Sequence, residues 1–113
     1  MEVTVVESPD GFTRVAISGR LDVDGVAAAS SVFDRDVVAR RRPTIVDVSQ
    51  VSFVASLGMG LFVSAAKALQ RFDAQLVLLR PQALVESALR AAGLDGVLPI
   101  APDEADAVRE ARG

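Results

Sequence analysis

The fold is decided by one stretch of the sequence, residues 44–69, which reads TIVDVSQVSFVASLGMGLFVSAAKAL. β-Branched residues crowd its beginning, and residues 44–48 are predicted to form a short strand. From Ser56 onward the apolar residues recur at three- and four-residue steps, which predicts a helix reaching about Phe72. No charge interrupts residues 48–66. A lone serine therefore stands where a strand pattern gives way to a helix pattern.

The rest of the chain alternates between strand and helix patterns. An opening β-hairpin turns at SPDG, and Gly19 is expected to end its second strand. Asp22 or Asp24 is expected to cap the first helix, Gly93 to close the third helix, and Pro99 to place the last strand at a sheet edge. The predicted elements are strands 3–7, 12–18, 44–48, 75–79 and 97–100, a loop at 20–25, and helices 26–40, 56–72, 81–92 and 103–112. This order predicts one α/β domain over residues 1–113 with a largely parallel sheet.

Composition excludes several classes of function. The net charge is −3, which argues against a protein built to bind nucleic acid or an anionic membrane. Cys, His, Tyr and Trp are all absent, so neither a disulfide nor a thiolate metal site can form and the common catalytic side chains are missing. We expect no bound cofactor or metal and no enzymatic activity. The acidic N-terminus and the polar residues within 48–66 argue against a signal peptide and a membrane span, so we expect a soluble cytoplasmic domain.

Three interpretations of Ser56 remain open at this level. A serine before a helical pattern is a favoured N-cap, which stabilises a helix by about 1 kcal/mol. A catalytic nucleophile is disfavoured, because there is no histidine and the single lysine, Lys67, lies about 16 Å away along the same helix. A hydroxyl at a helix start can also be a phosphorylation target, since backbone amides and the helix dipole accommodate the added charge there.

The sequence resembles the STAS domain, and in particular the small anti-sigma factor antagonists of bacterial partner-switching systems. The resemblance covers nearly the whole chain. It rests on the segments Ser18–Asp22, Val46–Ser49, Ser56–Gly58, Ala92–Asp95 and Leu98–Ile100. It implies a small mixed sheet, with an N-terminal hairpin followed by parallel strands and with helices packed mainly on one face.

The resemblance also implies a site and partners. Its phosphorylated serine falls on Ser56 and its acidic loop residue on Asp22. Such proteins bind a GHKL-type serine kinase that is also the anti-sigma factor. Phosphorylation breaks that complex, and a metal-dependent serine phosphatase restores it. The residues expected to bind the partner are Asp22, Ala55, Ser56, Leu57, Gly58, Met59 and Gly60.

The motif around the serine departs from the family pattern. The common sequence is Asp-Ser-Ser/Thr-Gly, whereas this chain has Ala55-Ser56-Leu57-Gly58. The target serine is present, but the carboxylate before it and the hydroxyl after it are missing. Leu57 would offer an apolar contact if it is exposed. An alternative within the family is a STAS adapter of an ABC lipid or anion transport system, which docks without being phosphorylated.

Overall fold

The computed structural model describes residues 1–113 as one five-stranded sheet flanked by four α-helices. The strands are β1 (Glu2–Glu7), β2 (Thr13–Leu21), β3 (Thr44–Val54), β4 (Leu76–Leu79) and β5 (Ile100–Ala101). The helices are α1 (Val23–Val32), α2 (Ser56–Gln70), α3 (Ala83–Ala91) and α4 (Glu104–Arg112). The longest, α2, has 15 residues, and none is both long and apolar enough to cross a membrane.

The strands lie in the order in which the chain makes them, β1 to β5. β1 and β2 form the predicted antiparallel hairpin, and every later neighbouring pair is parallel. Right-handed crossovers between successive parallel neighbours all return on the same side of a sheet. This explains why α1, α2 and α3 cover one face, as the resemblance implies.

Alternate residues of the inner strands pack into two separate hydrophobic cores, one on each face of the sheet. Val46 and Leu78 belong to the larger cluster, which also contains the buried side chains of α2 and α3. Ile45 and Val77 point to the other face and pack with Ala107 of α4. Since β4 is covered on both faces, all four of its residues are buried, as its uninterrupted apolar sequence predicts.

The C-terminal ends of β2 and β3 extend further than the sequence predicts. Gly19 does not end β2, which continues to Leu21, and the predicted loop at 20–25 is wrong because Asp22 caps a helix that begins at once. β3 reaches Val54 instead of ending at residue 48. The two strands pair along this whole length, and two shifts of register accommodate extra residues in β3.

The helix predicted for residues 26–40 begins earlier and changes form along its length. After α1, a π turn occupies Phe33–Val37 and a 3-10 turn occupies Val38–Arg40. Phe33 packs near Phe62 of α2, with ring centroids 6.2 Å apart. The π turn thus anchors the end of this helical run against α2.

The last strand is shorter than predicted. Only Ile100 and Ala101 pair with β4, because Val97 and Leu98 donate their backbone amides to the carbonyl of Leu94 in a 3-10 turn. The helices over 56–72, 81–92 and 103–112 are confirmed to within two residues at each end. Gly93 follows α3 with a φ of 82°, the left-handed conformation expected just beyond a helix end.

Candidate functional site

The ends of β2 and β3 bring Asp22 and Ser56 to the same edge of the sheet. Leu21 and Val54 are paired across the two strands, and the backbone amide of Ala55 donates to the carbonyl of Leu21 at 2.9 Å. Asp22 follows Leu21 in the chain, and Ser56 follows Ala55. The two residues that the sequence analysis singled out therefore lie on adjoining turns.

Asp22 is the N-cap of α1. Its Oδ1 accepts a hydrogen bond from the backbone amide of Gly25 at 3.0 Å, which satisfies one of the free donors at the helix start. Its Oδ2 lies 3.7 Å from Nε of Arg20. The carboxylate therefore has a structural task in addition to any contact with a partner.

Two glycines let these turns pack closely. A Cβ on Gly25 would overlap the carbonyl oxygen of Arg20, and a Cβ on Gly58 would lie 3.0 Å from Cβ of Leu21 and 3.1 Å from its carbonyl oxygen. Any side chain at Gly25 would push α1 away from the end of β2. Both glycines are buried, so they allow the two turns to pack closely but are not themselves part of the exposed surface.

Ser56 does not cap α2, and the N-cap interpretation is wrong. Ala55 occupies the cap position, with extended backbone angles and no side-chain hydrogen bond, and its carbonyl accepts the amide of Met59 at 3.1 Å. Ser56 is the first helical residue. Its side chain is exposed and its hydroxyl makes no hydrogen bond within the protein. The hydroxyl is therefore free to meet a partner or to accept a phosphoryl group.

The other predicted partner-binding residues share this edge but differ in exposure. Leu57 is 55% exposed, which fulfils the condition on which it was expected to offer an apolar contact. Gly60 is also exposed, Ala55 and Met59 are half-buried, and Gly58 faces inward. A partner would therefore touch Ser56, Leu57 and Gly60 most directly.

Sequence reasoning missed three exposed side chains beside this serine. Val23, in the first turn of α1, is 66% exposed. Phe53 is 39% exposed, and the guanidinium carbon of Arg20 lies 4.3 Å from the centroid of its ring. Arg20 and Phe53 are paired across β2 and β3. Because the predicted strands ended too early, sequence reasoning did not place these two residues together.

We call this region the Ser56 surface and define it as Arg20, Asp22, Val23, Phe53, Ser56 and Leu57. It combines exposed apolar side chains and one hydroxyl with one cation, Arg20, and one carboxylate, Asp22. Large exposed apolar side chains near one another are typical of protein contact sites. No group of three or more acidic side chains comes close enough to hold a metal ion.

Comparison with known proteins places this geometry in a family. The model of the STAS domain matches residues 4–107. The anti-sigma-B factor antagonist of Staphylococcus aureus (strain NCTC 8325 / PS 47) is 36% identical over 70 residues, which cover 62% of this chain and 65% of that protein. The match thus spans slightly less than two thirds of the relative's length.

Two solved structures share the fold. An anti-sigma factor antagonist from Mycobacterium paratuberculosis has a TM-score of 0.85 at 24% identity, covering 99% of this chain and 96% of that chain. The phosphorylated form of the Bacillus cell fate determinant SpoIIAA has a TM-score of 0.71 at 17% identity, covering 96% of this chain and 97% of that chain. At such identities the likeness shows the fold alone. The family match spans nearly the whole chain, and the chain belongs to the STAS domain family.

Proposed function

We propose that this chain is an anti-sigma factor antagonist whose binding to a serine kinase is controlled by phosphorylation of Ser56. The observation that carries the proposal is the Ser56 hydroxyl, which is exposed, free of internal hydrogen bonds and flanked by exposed apolar side chains. The likeness to the anti-sigma-B factor antagonist of Staphylococcus aureus supports the same role.

The unphosphorylated Ser56 surface binds the kinase, which is also the anti-sigma factor, and so releases the sigma factor. The kinase then transfers the γ-phosphoryl group of ATP to Oγ of Ser56, with release of ADP and a proton. A phosphate adds a charge of about −1.5 to −2. Within a desolvated contact an unpaired charge of this size is unfavourable, so the complex dissociates. A metal-dependent serine phosphatase removes the phosphate and restores binding.

Incubation with the cognate kinase and ATP, followed by mass spectrometry, tests the proposal. Phosphate should appear on Ser56, and Ser56→Ala should bind the kinase without being phosphorylated. Ser56→Asp should bind much more weakly, whereas Ser52→Asp is a matched control at another exposed serine. Absence of phosphate on Ser56, together with unchanged kinase binding by Ser56→Asp, would refute the proposed switch.

The apolar character of the serine turn favours a second candidate. Ala55 and the exposed Leu57 stand where the family pattern has polar residues, so the turn can act as a contact surface without phosphorylation of Ser56. A STAS adapter that docks onto a transport system would use it in this way. Mass spectrometry of the protein isolated from its own cells separates the two, because the adapter carries no phosphate on Ser56.

A further inference from the structure

The first helical run consists of α1 and the π and 3-10 turns that follow it, residues 23–40. A groove runs along the surface between this run and α2, and it begins at the Ser56 surface. Its volume is about 660 Å³. Phe33 and Ala65 form its buried floor, while Ser56, Leu57 and Ser64 are exposed along one wall. The α2 wall extends from Ser56 to Ala68, which is about 18 Å at the rise of an α-helix. The groove is thus an elongated, open extension of the proposed contact surface.

The groove carries one ionised group, Asp34, on the wall opposite α2. The Asp34 carboxylate is exposed and makes no ion pair or hydrogen bond. Asp36, two residues further on, is instead held by Arg35 at 2.8 Å. The groove therefore offers apolar contacts along its floor and an unpaired negative charge at its rim.

We propose that the kinase partner lays an amphipathic helix of about three turns into this groove, with a lysine or arginine of that helix paired to Asp34. This inference rests on the proposed function, because the same partner occupies the Ser56 surface. Ser56 and Leu57 belong to the Ser56 surface and also line the groove, so one partner can contact both regions continuously. The partner helix would present apolar side chains to Phe33 and a cation to the rim.

The shape of the groove favours a helix over other occupants. A small ligand is typically enclosed over most of its surface, whereas this groove has exposed residues along its length. A second copy of this chain would need a cation to meet Asp34, but Arg20 of its Ser56 surface and Arg35 of its π turn are already engaged. Arg20 stacks on Phe53, and Arg35 pairs with Asp36.

Two groove variants and two matched controls test the proposal on the complex with the kinase. Asp34→Lys reverses the charge of the rim, and Ser64→Trp fills the groove at an exposed position. Glu110→Lys on α4 makes the same change of charge elsewhere, and Ser87→Trp on α3 adds the same bulk. Ser56 is untouched in all four variants. Circular dichroism and thermal unfolding first establish that each variant is folded.

We expect both groove variants to weaken kinase binding by about tenfold or more, because Asp34→Lys sets two cations against each other and Ser64→Trp blocks the groove, while the controls bind like the unaltered chain. Asp34→Lys should also reduce the salt dependence of the affinity. In the complex, hydrogen exchange should show a protected helical segment of the kinase about a dozen residues long.

The outcomes separate this inference from the proposed function. If Ser56→Asp abolishes binding while both groove variants bind normally, the groove proposal falls and the phosphoswitch stands. If only Ser64→Trp weakens binding, the occupant does not pair with Asp34 and the basic helix is refuted. A small molecule that native mass spectrometry detects on the isolated protein, and that Ser64→Trp removes, would also refute it. If the kinase does not bind the unaltered chain, both proposals fall.

Discussion

At the scale of single residues, Ala55 occupies the cap position of α2 and Ser56 presents the exposed hydroxyl. A single serine at the cap position could have done both. The hydroxyl is exposed and unbonded, and the cap position beside it holds a side chain that cannot accept a hydrogen bond. The first turn of α2 therefore lacks a side-chain cap, whereas Asp22 provides one for α1. In this chain the Ser56 hydroxyl therefore contributes little to the stability of the fold.

Substitutions at these two residues should therefore change stability in different ways. Ala55→Asp should raise the free energy of unfolding by about 1 kcal/mol, because its carboxylate can accept a free amide of the first turn of α2. Ser56→Ala should leave stability within about 0.5 kcal/mol, because no capping bond is lost. Denaturation in urea measures both.

Ala55→Asn serves as the control, since it restores a capping acceptor without adding charge. A loss of about 1 kcal/mol in Ser56→Ala would mean that the hydroxyl caps the helix in solution after all.

At the scale of elements, α1 and α2 begin directly at strand ends because small residues let them do so. Gly25 stands in the first turn of α1 against the carbonyl of Arg20, and Gly58 stands in the first turn of α2 against Leu21. Gly60 lies only two residues further along α2, but a Cβ there would meet no atom within 4 Å. Two glycines of the same helix thus serve different purposes.

Replacement by alanine should distinguish a closely packed glycine, such as Gly25, from one with open space around it, such as Gly60. Gly25→Ala should destabilise the protein by roughly 1–3 kcal/mol, because the new methyl group overlaps a backbone oxygen and forces α1 to move. Gly60→Ala should instead stabilise it by up to about 1 kcal/mol, because alanine is the better helix former and the site has room. Thermal or urea unfolding of both variants provides the measurement. Equal effects at the two positions would contradict the close packing described for Gly25.

At the scale of the whole molecule, two exposed phenylalanines mark opposite ends of the sheet. Phe53 belongs to the Ser56 surface, and Phe72 follows the C-terminus of α2, the 15-residue helix that spans about 22 Å. Each ring lies beneath an arginine, Arg20 at 4.3 Å and Arg41 at 4.5 Å from the ring centroid. The two rings are alike in exposure and in their arginine partner, but Phe53 lies in β3 near Ser56 and Phe72 lies in the turn after α2.

This similarity gives a matched pair for locating the contact with the proposed kinase partner. Phe53→Ala should weaken kinase binding about tenfold, because aromatic side chains within an interface contribute strongly to affinity. Phe72→Ala should leave binding unchanged. Both variants lose a similar ring–guanidinium stack and should lose similar amounts of stability. Calorimetric titration with the kinase measures the affinities, and a larger effect of Phe72→Ala would place the contact at the other end of the molecule.

The fold class could be predicted from the sequence because its strands and helices alternate clearly. The full length of β3 could not, for a physical reason. Val48, Val51 and Val54 are all buried but recur every third residue, since the register with β2 shifts twice along this part of the strand. A strand is normally recognised by apolar residues at every second position.

The position of the N-cap of α2 could not be predicted from the sequence for a related reason. Serine is a better cap than alanine, and local preference alone selects Ser56. The bond between the Ala55 amide and the Leu21 carbonyl instead places the cap at Ala55, one residue earlier than predicted. Because that bond depends on the pairing of two strands more than thirty residues apart, only the three-dimensional structure reveals it.

The same bond has a consequence for the rate at which a partner can be recognised. The Ala55–Leu21 bond and the Asp22–Gly25 bond tie both turns of the Ser56 surface to the sheet before any partner arrives. A surface that is already ordered gives up little conformational entropy on docking. Association would then be limited by diffusion and orientation, with no slow folding of a loop to await. The rate at which the proposed switch responds would then be set by the rate at which Ser56 gains or loses its phosphate.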